Sequence, residues 1–124
     1  MTPSLEELRD RIRAFATARD WNQYHDPKNL TMLLASEVGE LVAEFRWLTP
    51  AEATTAMQDR ERARRIAEEI GDVGIALLAL CDKLNIALPD AIAAKIALNE
   101  TRYPASAARG RPERPLPSSP PERR

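Results

Sequence analysis

Two pairs of acidic side chains at helical spacing are the residues of this chain best suited to chemistry. The first pair, Glu37 and Glu40, lies in the segment LLASEVGELVAEFRW. The second pair, Glu69 and Asp72, lies in the segment EEIGDVGIALLAL. Residues three apart project from the same face of an α-helix. Aliphatic residues alternate with the acids in both segments, so we expect each pair to border the apolar face of its helix.

If these two helices pack against each other, four carboxylates meet in one partly dry site. Like charges at short range repel each other or take up protons unless a cation compensates them. Oxygen ligands suit Mg²⁺, with Mn²⁺ as the alternative, and Mg²⁺ also accepts substrate phosphates. The pattern therefore predicts that the metal ligands and catalytic residues are Glu37, Glu40, Glu69 and Asp72. The alternative is two solvated faces, and Glu44, one turn after Glu40, fits either the edge of the site or the surface.

Two further groups of side chains have the chemistry to bind a nucleotide. Lys95, Asn99 and Arg102 form one polar stripe suited to phosphate oxygens, although basic residues near a helix C-terminus are also favoured by the helix dipole. Aromatic residues that can stack on a base lie in DWNQYHDPKNL and at the end of the first acidic segment: Trp21, Tyr24, His25 and Trp47. The alternative for the tryptophans is a place in a small hydrophobic core.

The periodicity of the apolar residues predicts an all-α bundle of four to five helices. The long helices are predicted over residues 4–19, 29–47, 59–84 and 90–102. A capped helical turn is expected to begin at Thr49, and residues 20–30 are expected to form a loop. Gly71 and Gly74 interrupt good helix formers, which favours either the close approach of another helix or room for a ligand.

The composition divides the chain into a folded domain, residues 1–104, and an Arg/Pro-rich tail, residues 105–124, that we expect to be disordered. The tail has a charge of +3 (five Arg, two Glu), whereas the whole chain has a formal net charge of −1. An acidic folded domain argues against binding a nucleic acid polymer. No apolar run is long enough to span a membrane, and one cysteine is typical of a cytoplasmic location.

The chain resembles the MazG-like nucleoside triphosphate pyrophosphohydrolases, and among them the dCTP pyrophosphatase group. The resemblance rests on RDWNQYHDPKNL, SEVGELVAEFRW, EEIGDVGIALLAL and LPDAIAAKIALNETRYP, and it covers about residues 5–104. It implies an all-α fold that assembles as a dimer or a dimer of dimers. It also implies Mg²⁺-dependent cleavage of a nucleoside triphosphate, such as dCTP or a modified dCTP, to a monophosphate and pyrophosphate, which removes unwanted nucleotides from the pool.

The resemblance also implies a role for individual residues. The metal would be bound by Glu37, Glu40, Glu69 and Asp72. The nucleoside pocket would be lined by Trp21, Asn22, Gln23, His25 and Trp47. The phosphates would be approached by Lys95, Asn99, Arg102 and Tyr103.

Three positions depart from the family pattern. Ser36 stands where the broader family often has the first of two adjacent glutamates. Ile12 and Ala76 stand where dCTP-preferring relatives carry a histidine and a tyrosine, so the base preference stays open. Two other functions fit the residues: a helical protein-interaction module whose acidic face docks a basic partner, and an enzyme of the same fold that acts like a dUTPase or a phosphoribosyl-ATP pyrophosphatase.

Overall fold

The computed structural model describes residues 1–113, and all of its regular elements are helical. The α-helices are α1 (Leu5–Ala18), α2 (Pro27–Phe45), α3 (Pro50–Thr54), α4 (Arg60–Lys83), α5 (Leu88–Arg102) and α6 (Ala105–Ala108). Two 3₁₀ turns cover Asn22–Tyr24 and Ala56–Gln58. Residues 1–113 contain no strand, so the predicted all-α fold is confirmed. None of the helices in this range has the length and hydropathy that crossing a bilayer requires.

Side-chain caps start α1, α3 and α4 where the sequence predicts these helices. Ser4 Oγ accepts a hydrogen bond from the Glu7 amide at 3.1 Å, and the Glu7 carboxylate accepts one from the Ser4 amide. Thr49 and Glu52 form the same reciprocal pair at the start of α3. Asp59 caps α4 in a similar way, by accepting a hydrogen bond from a backbone amide of the first turn. Each cap pairs backbone donors that would otherwise have no partner within the helix.

The start of α2 corrects the predicted loop over residues 20–30. Asp26 is the N-cap, and its carboxylate accepts a hydrogen bond from the Asn29 amide at 2.8 Å. Pro27 is therefore the first helical residue, a position that proline favours because it has no amide hydrogen to satisfy. The helix also ends two residues before Trp47, earlier than predicted.

A left-handed residue ends α1 and fixes the direction of the chain that follows. Asp20 has φ 54°, and the Trp21 amide donates to the Ala16 carbonyl at 3.0 Å, which closes the helix in a Schellman-type cap. Asn85, also with φ 54°, ends α4 in the same way. The first of these caps places Trp21 directly beside the last turn of α1.

The first of two compact units, residues 1–86, is organised around α4. This helix packs most extensively against α2 and also contacts α1 and the turn at Ala56–Gln58. The Arg13 guanidinium joins α1 to α4 by donating to both carboxylate oxygens of Asp82, at 2.8 and 2.5 Å. The helix α4 is therefore the element that α1, α2 and the Ala56–Gln58 turn all contact.

The core of this unit is small. Its buried apolar residues are Ala16, Leu30, Ala56, Ile66, Ala76 and Cys81. Val38 and Ile70, expected on the buried faces, are 41% and 55% exposed. A Cβ added at Gly71 or Gly74 would meet no atom within 4 Å, so these glycines do not mark a close helix contact within the described chain. The two glycine positions therefore leave open space beside α4.

The second unit begins at Ala87 and contains α5 and α6. At the end of α5, the Asn99 carbonyl accepts the Tyr103 amide at 2.7 Å. The single turn of α6, Ala105–Ala108, is helical where the sequence predicts disorder. The rest of that prediction, over residues 114–124, lies outside the described residues.

Candidate active site

Three of the four predicted metal ligands converge between α2 and α4. Glu37 on α2 and Glu69 and Asp72 on α4 each offer a carboxylate oxygen, and these oxygens lie within 4.8 Å of one another. Glu37 and Glu69 are half-buried, whereas Asp72 is exposed. Oxygens that share one divalent cation at bond lengths of about 2.1–2.5 Å lie about 3–5 Å apart, so the spacing suits a single ion.

Glu40, the fourth predicted ligand, is exposed and lies outside this converging group. It is nevertheless close enough for its negative charge to raise the pKa of Glu69. Glu40 therefore borders the acid cluster from α2, one turn after Glu37.

The electrostatics of the cluster favour a bound cation. The pKa of Glu69 is raised first by partial burial of its carboxyl group and then by the negative charges of Asp72, Glu40 and Glu37. None of the ion pairs within residues 1–113 involves the three converging acids. The cluster thus has the oxygen donors and the uncompensated charge that a divalent cation would neutralise.

Glu44, the remaining acid on this face of α2, has a partner. Its carboxylate accepts a hydrogen bond from Arg65 Nε at 3.3 Å, and its side chain is only 19% exposed. The contact joins the end of α2 to the start of α4. Glu44 is therefore neither a free metal ligand nor a solvated surface residue.

An aromatic group lies at the end of α1 and includes one residue that the sequence interpretation did not assign to a site. The Trp21 ring makes edge contacts with Phe15 and His25, with centroids 5.6 and 6.4 Å apart. The Arg19 guanidinium lies over the Phe15 ring at 3.6 Å. Phe15 belongs to the apolar stripe of α1, and the periodicity of that stripe does not predict that its side chain is exposed. This exposure makes Phe15 part of the aromatic surface.

Asn22 and Gln23 use their side chains to hold the turn that carries Trp21. Asn22 Nδ2 donates to Thr17 Oγ1 at 3.0 Å, and Gln23 Nε2 donates to the Asp20 carbonyl at 3.0 Å. Both hydrogen bonds tie the Asn22–Tyr24 turn to the end of α1. In this structure the two amides therefore stabilise the turn that presents the aromatic group.

Trp47 lies apart from that aromatic group in the contacts that the structure describes. It follows the end of α2, is 83% exposed, and has the Arg46 guanidinium 5.2 Å from its ring centroid. Its exposure excludes the alternative that it is a core residue of the described chain.

The candidate phosphate-binding residues belong to the second unit. Lys95, Asn99 and Arg102 lie on α5, and Tyr103 follows its last residue. Lys95 and Arg102 are exposed, whereas Asn99 and Tyr103 are half-buried. The polar stripe predicted from their spacing is therefore present on α5.

Comparisons with known proteins point to nucleotide chemistry. The chain is 43% identical over 109 residues to dCTP pyrophosphatase 1 of Rattus norvegicus. The aligned region covers 87% of this chain and 64% of the rat protein. It is 44% identical over 108 residues to dCTP pyrophosphatase 1 of Homo sapiens, covering 86% of this chain and 63% of the human protein. The chain thus spans a little under two thirds of the length of these relatives.

A solved structure agrees with these sequence relatives. A pyrophosphatase from Archaeoglobus fulgidus DSM 4304 superposes with a TM-score of 0.76 at 38% sequence identity, covering 84% of this chain and 95% of that chain. No family model matches the chain. The fold is therefore similar to that of a pyrophosphatase whose structure has been solved.

Proposed function

Because this chain belongs to the MazG-like family of nucleotide pyrophosphatases, we propose that it hydrolyses a deoxynucleoside triphosphate between the α and β phosphorus atoms. The products are a nucleoside monophosphate and pyrophosphate. The observation that carries this proposal is the convergence of Glu37, Glu69 and Asp72 from two helices. The relatives named above are pyrophosphatases, which favours the enzyme over the protein-interaction module.

The acid cluster fits a divalent cation, and we propose Mg²⁺, with Mn²⁺ as a substitute. Glu37, Glu69 and Asp72 would hold the ion, with Glu40 as the fourth candidate ligand. When bound, such a cation offsets charge on the phosphate oxygens and lowers the pKa of a coordinated water. Its charge would also offset the repulsion that, after partial burial, raises the pKa of Glu69.

A carboxylate at this site would orient the attacking water or accept its proton. Glu40 supports this role because it is exposed, borders the cluster and is not among the converging acids. Glu37 is the other candidate because it shares the same face of α2. A general base must lie within hydrogen-bonding reach of the water in the substrate complex.

We assign the nucleoside to the aromatic surface at the end of α1. Trp21 would stack on the base, with His25 and Phe15 at its edges. Stacking on an aromatic side chain contributes about 1–3 kcal/mol per base. Asn22 and Gln23 would act by holding the turn, while Trp47 is proposed as a second wall on the strength of the family resemblance.

The relatives' printed name makes dCTP, or a modified dCTP, the first substrate to test. Ile12 is half-buried and Ala76 is only 1% exposed, and neither side chain can donate or accept a hydrogen bond. Recognition of cytosine by hydrogen bonds would therefore depend on residues other than these two. Deoxyuridine and thymidine triphosphates belong in the same test.

The remaining parts of the proposal concern phosphates, assembly and location. Lys95 and Arg102 offer positive charge to phosphate oxygens, and Asn99 and Tyr103 offer neutral hydrogen bonds. We propose a homodimer or homotetramer, supported by the apolar side chains that stay exposed on α2 and α4. We further propose a cytoplasmic role in removing surplus or non-standard nucleotides.

The proposal is tested with a panel of nucleotides in the presence of Mg²⁺. The panel holds dCTP, a 5-substituted dCTP, dUTP, dTTP, dATP, dGTP and phosphoribosyl-ATP, and ³¹P NMR identifies the products. We expect monophosphate and pyrophosphate, with dCTP or its modified form preferred. Folded protein that releases pyrophosphate from none of them would contradict the proposal, and release of orthophosphate alone would contradict the cleavage position.

A further inference from the structure

Two side-chain ion pairs join different α-helices within residues 1–113. One is Arg13 with Asp82, between α1 and α4. The other is Arg65 with Glu44, between α4 and α2, and it lies on the same pair of helices as the acid cluster. The second pair has no role in the proposed chemistry, since neither Arg65 nor Glu44 is among the predicted metal ligands or substrate-binding residues.

The Arg65–Glu44 contact and the acid cluster fit the same alignment of α2 against α4. Glu44 and Glu37 are seven residues apart on α2, and Arg65 and Asp72 are seven residues apart on α4. Because Glu44 contacts Arg65 while Glu37 converges with Asp72, the helices run antiparallel and keep one register over this distance. Seven residues are about two helical turns, or about 10 Å along the axis.

The surfaces of α2 and α4 beside the acids are open in the described chain. A Cβ added at Gly39, Gly71 or Gly74 would meet no atom within 4 Å. Val38 and Ile70, which flank the acids, are exposed. Side-chain packing sets how the two helices meet, and because burial of apolar surface is itself non-directional, a directional contact adds to packing in holding one helix at a fixed level against the other. Among the described side chains, the ion pair supplies that contact between α2 and α4.

We propose that the Arg65–Glu44 ion pair positions the metal-binding acids by helping to fix α2 against α4. The inference rests on the proposed function, because it requires that the three converging acids bind a divalent cation. Arginine suits the task, since its planar guanidinium stays charged and offers several donors. A second contact, from Arg65 Nη1 to Glu61 on its own helix at 3.6 Å, helps to orient it.

For Arg65, long-range electrostatics alone predicts the opposite effect of a substitution, which makes the inference testable through this residue. A positive side chain near the acids repels a second cation, so removal of its charge should tighten metal binding slightly. Loss of positioning should weaken metal binding instead. Groups that orient metal ligands typically change metal affinity by about 10- to 100-fold.

The test measures Mn²⁺ binding without nucleotide, by electron paramagnetic resonance of the free ion, for the wild type and three variants. We expect Arg65→Met and Glu44→Gln each to weaken binding about tenfold. The double variant should also lose about tenfold rather than the roughly hundredfold loss expected of independent residues. Arg65→Lys, which keeps the charge, should stay within about threefold of the wild type.

Arg64→Met is the matched control. Arg64 pairs with Glu61 and Glu68 on its own helix, at 2.5 and 2.6 Å, so the variant removes the same charge without breaking a contact to α2. We expect its Mn²⁺ affinity to equal or slightly exceed that of the wild type. All titrations are made below the unfolding midpoint, where a merely structural role would leave the affinity of the folded protein unchanged.

Three results would overturn the inference. They are equal Mn²⁺ affinity in Arg65→Met and Arg64→Met, independent effects of the two single substitutions, and a wild type that binds no Mn²⁺. A wild type that binds Mn²⁺ but hydrolyses no nucleotide would contradict the proposed function only. In that case the comparison of variants still decides whether the ion pair positions the acids.

Discussion

Individual acids of the cluster differ in what surrounds them, although all carry the same charge. Glu69 is half-buried, and its pKa is raised first by partial burial and then by the charges of Asp72, Glu40, Glu37 and Glu44. Asp72 is exposed, and its carboxylate has no ion-pair partner within residues 1–113. Without a cation, each additional charge raises the free energy of the folded state.

Asp72→Asn should separate activity from stability. If Asp72 is a metal ligand, as proposed, its loss should lower kcat/KM by at least about 100-fold, since substituting residues that only hydrogen-bond to metal ligands typically costs about 10- to 100-fold. In metal-free buffer the melting temperature should stay the same or rise, because one of the repelling charges is removed. Hydrolysis assays and thermal unfolding with and without Mg²⁺ measure both effects.

Glu68→Gln is the control for that substitution. Glu68 neighbours Glu69 in sequence but pairs with Arg64 at 2.6 Å on the exposed side of α4. We expect kcat/KM to remain within about twofold of the wild type, because an exposed pair contributes little. If kcat/KM fell equally in both variants, the effect would come from the total negative charge of α4, and the specific role of Asp72 would be contradicted.

At the scale of the elements, α4 is held to its neighbours by ion pairs near both ends. Arg65 connects its first turns to α2, and Arg13 connects its last turns to α1. The pKa of Asp82 is lowered, chiefly by the hydrogen bonds that it accepts from Arg13 and then by the guanidinium charge. A carboxyl group whose pKa is lower in the folded state stabilises that state when it is ionised.

The Arg13–Asp82 contact therefore predicts a pH-dependent stability. Its contribution is fully present above the ordinary aspartate pKa of 3.8 and is lost as the pH falls through the lower pKa of the folded state. Asp82→Asn should lower the melting temperature by about 3 °C near neutral pH, and the difference should shrink below about pH 4. Thermal unfolding of both proteins between pH 3 and about pH 7 measures it.

Asp10→Asn is the control for the pH experiment. Asp10 lies 3.7 Å from Arg13 on the same helix, and its side chain is far more exposed than that of Asp82. This variant should change the melting temperature by less than about 1 °C. A constant difference between Asp82→Asn and the wild type at every pH would contradict the assignment.

Across the molecule, the exposed aliphatic surface is large for the small core of the first unit. The exposed aliphatic residues of α2 and α4 include Val38, Val42, Ile70 and Ile75. Exposed apolar patches of this kind often mark protein–protein contacts. Open space beside Gly39, Gly71 and Gly74 on the same two helices leaves room for another chain.

The proposed homo-oligomer makes a direct prediction for the mass in solution. Light scattering after gel filtration should give at least twice the 13.9 kDa of one chain, and the value should stay constant on dilution to micromolar concentration. A Val42→Glu substitution should shift the mass towards the monomer, because a charge in a buried apolar contact is unfavourable. A monomeric wild type would contradict this part of the proposal.

The local features of the molecule follow from the sequence alone. The capping pairs Ser4 with Glu7 and Thr49 with Glu52 involve residues three apart, so their hydrogen bonds depend only on the start of one helix. The start of α2, which the sequence analysis predicts two residues too late, also has a local signal. Asp26 followed by Pro27 is typical of an N-cap and a first helical residue. The all-α fold and the position of each acid pair on one face of its helix can be predicted because they also depend on residues close together in the sequence.

Tertiary structure alone decided which acids meet and what happens to the others. Glu37 and Asp72 are far apart in sequence, so their approach depends on the register of two antiparallel helices, which no single helix encodes. That register leaves Glu40 outside the converging group, pairs Glu44 with Arg65 and leaves apolar residues of both helices exposed. Spacing within a helix is set by hydrogen bonds along the chain, whereas contact between helices is set by packing across it.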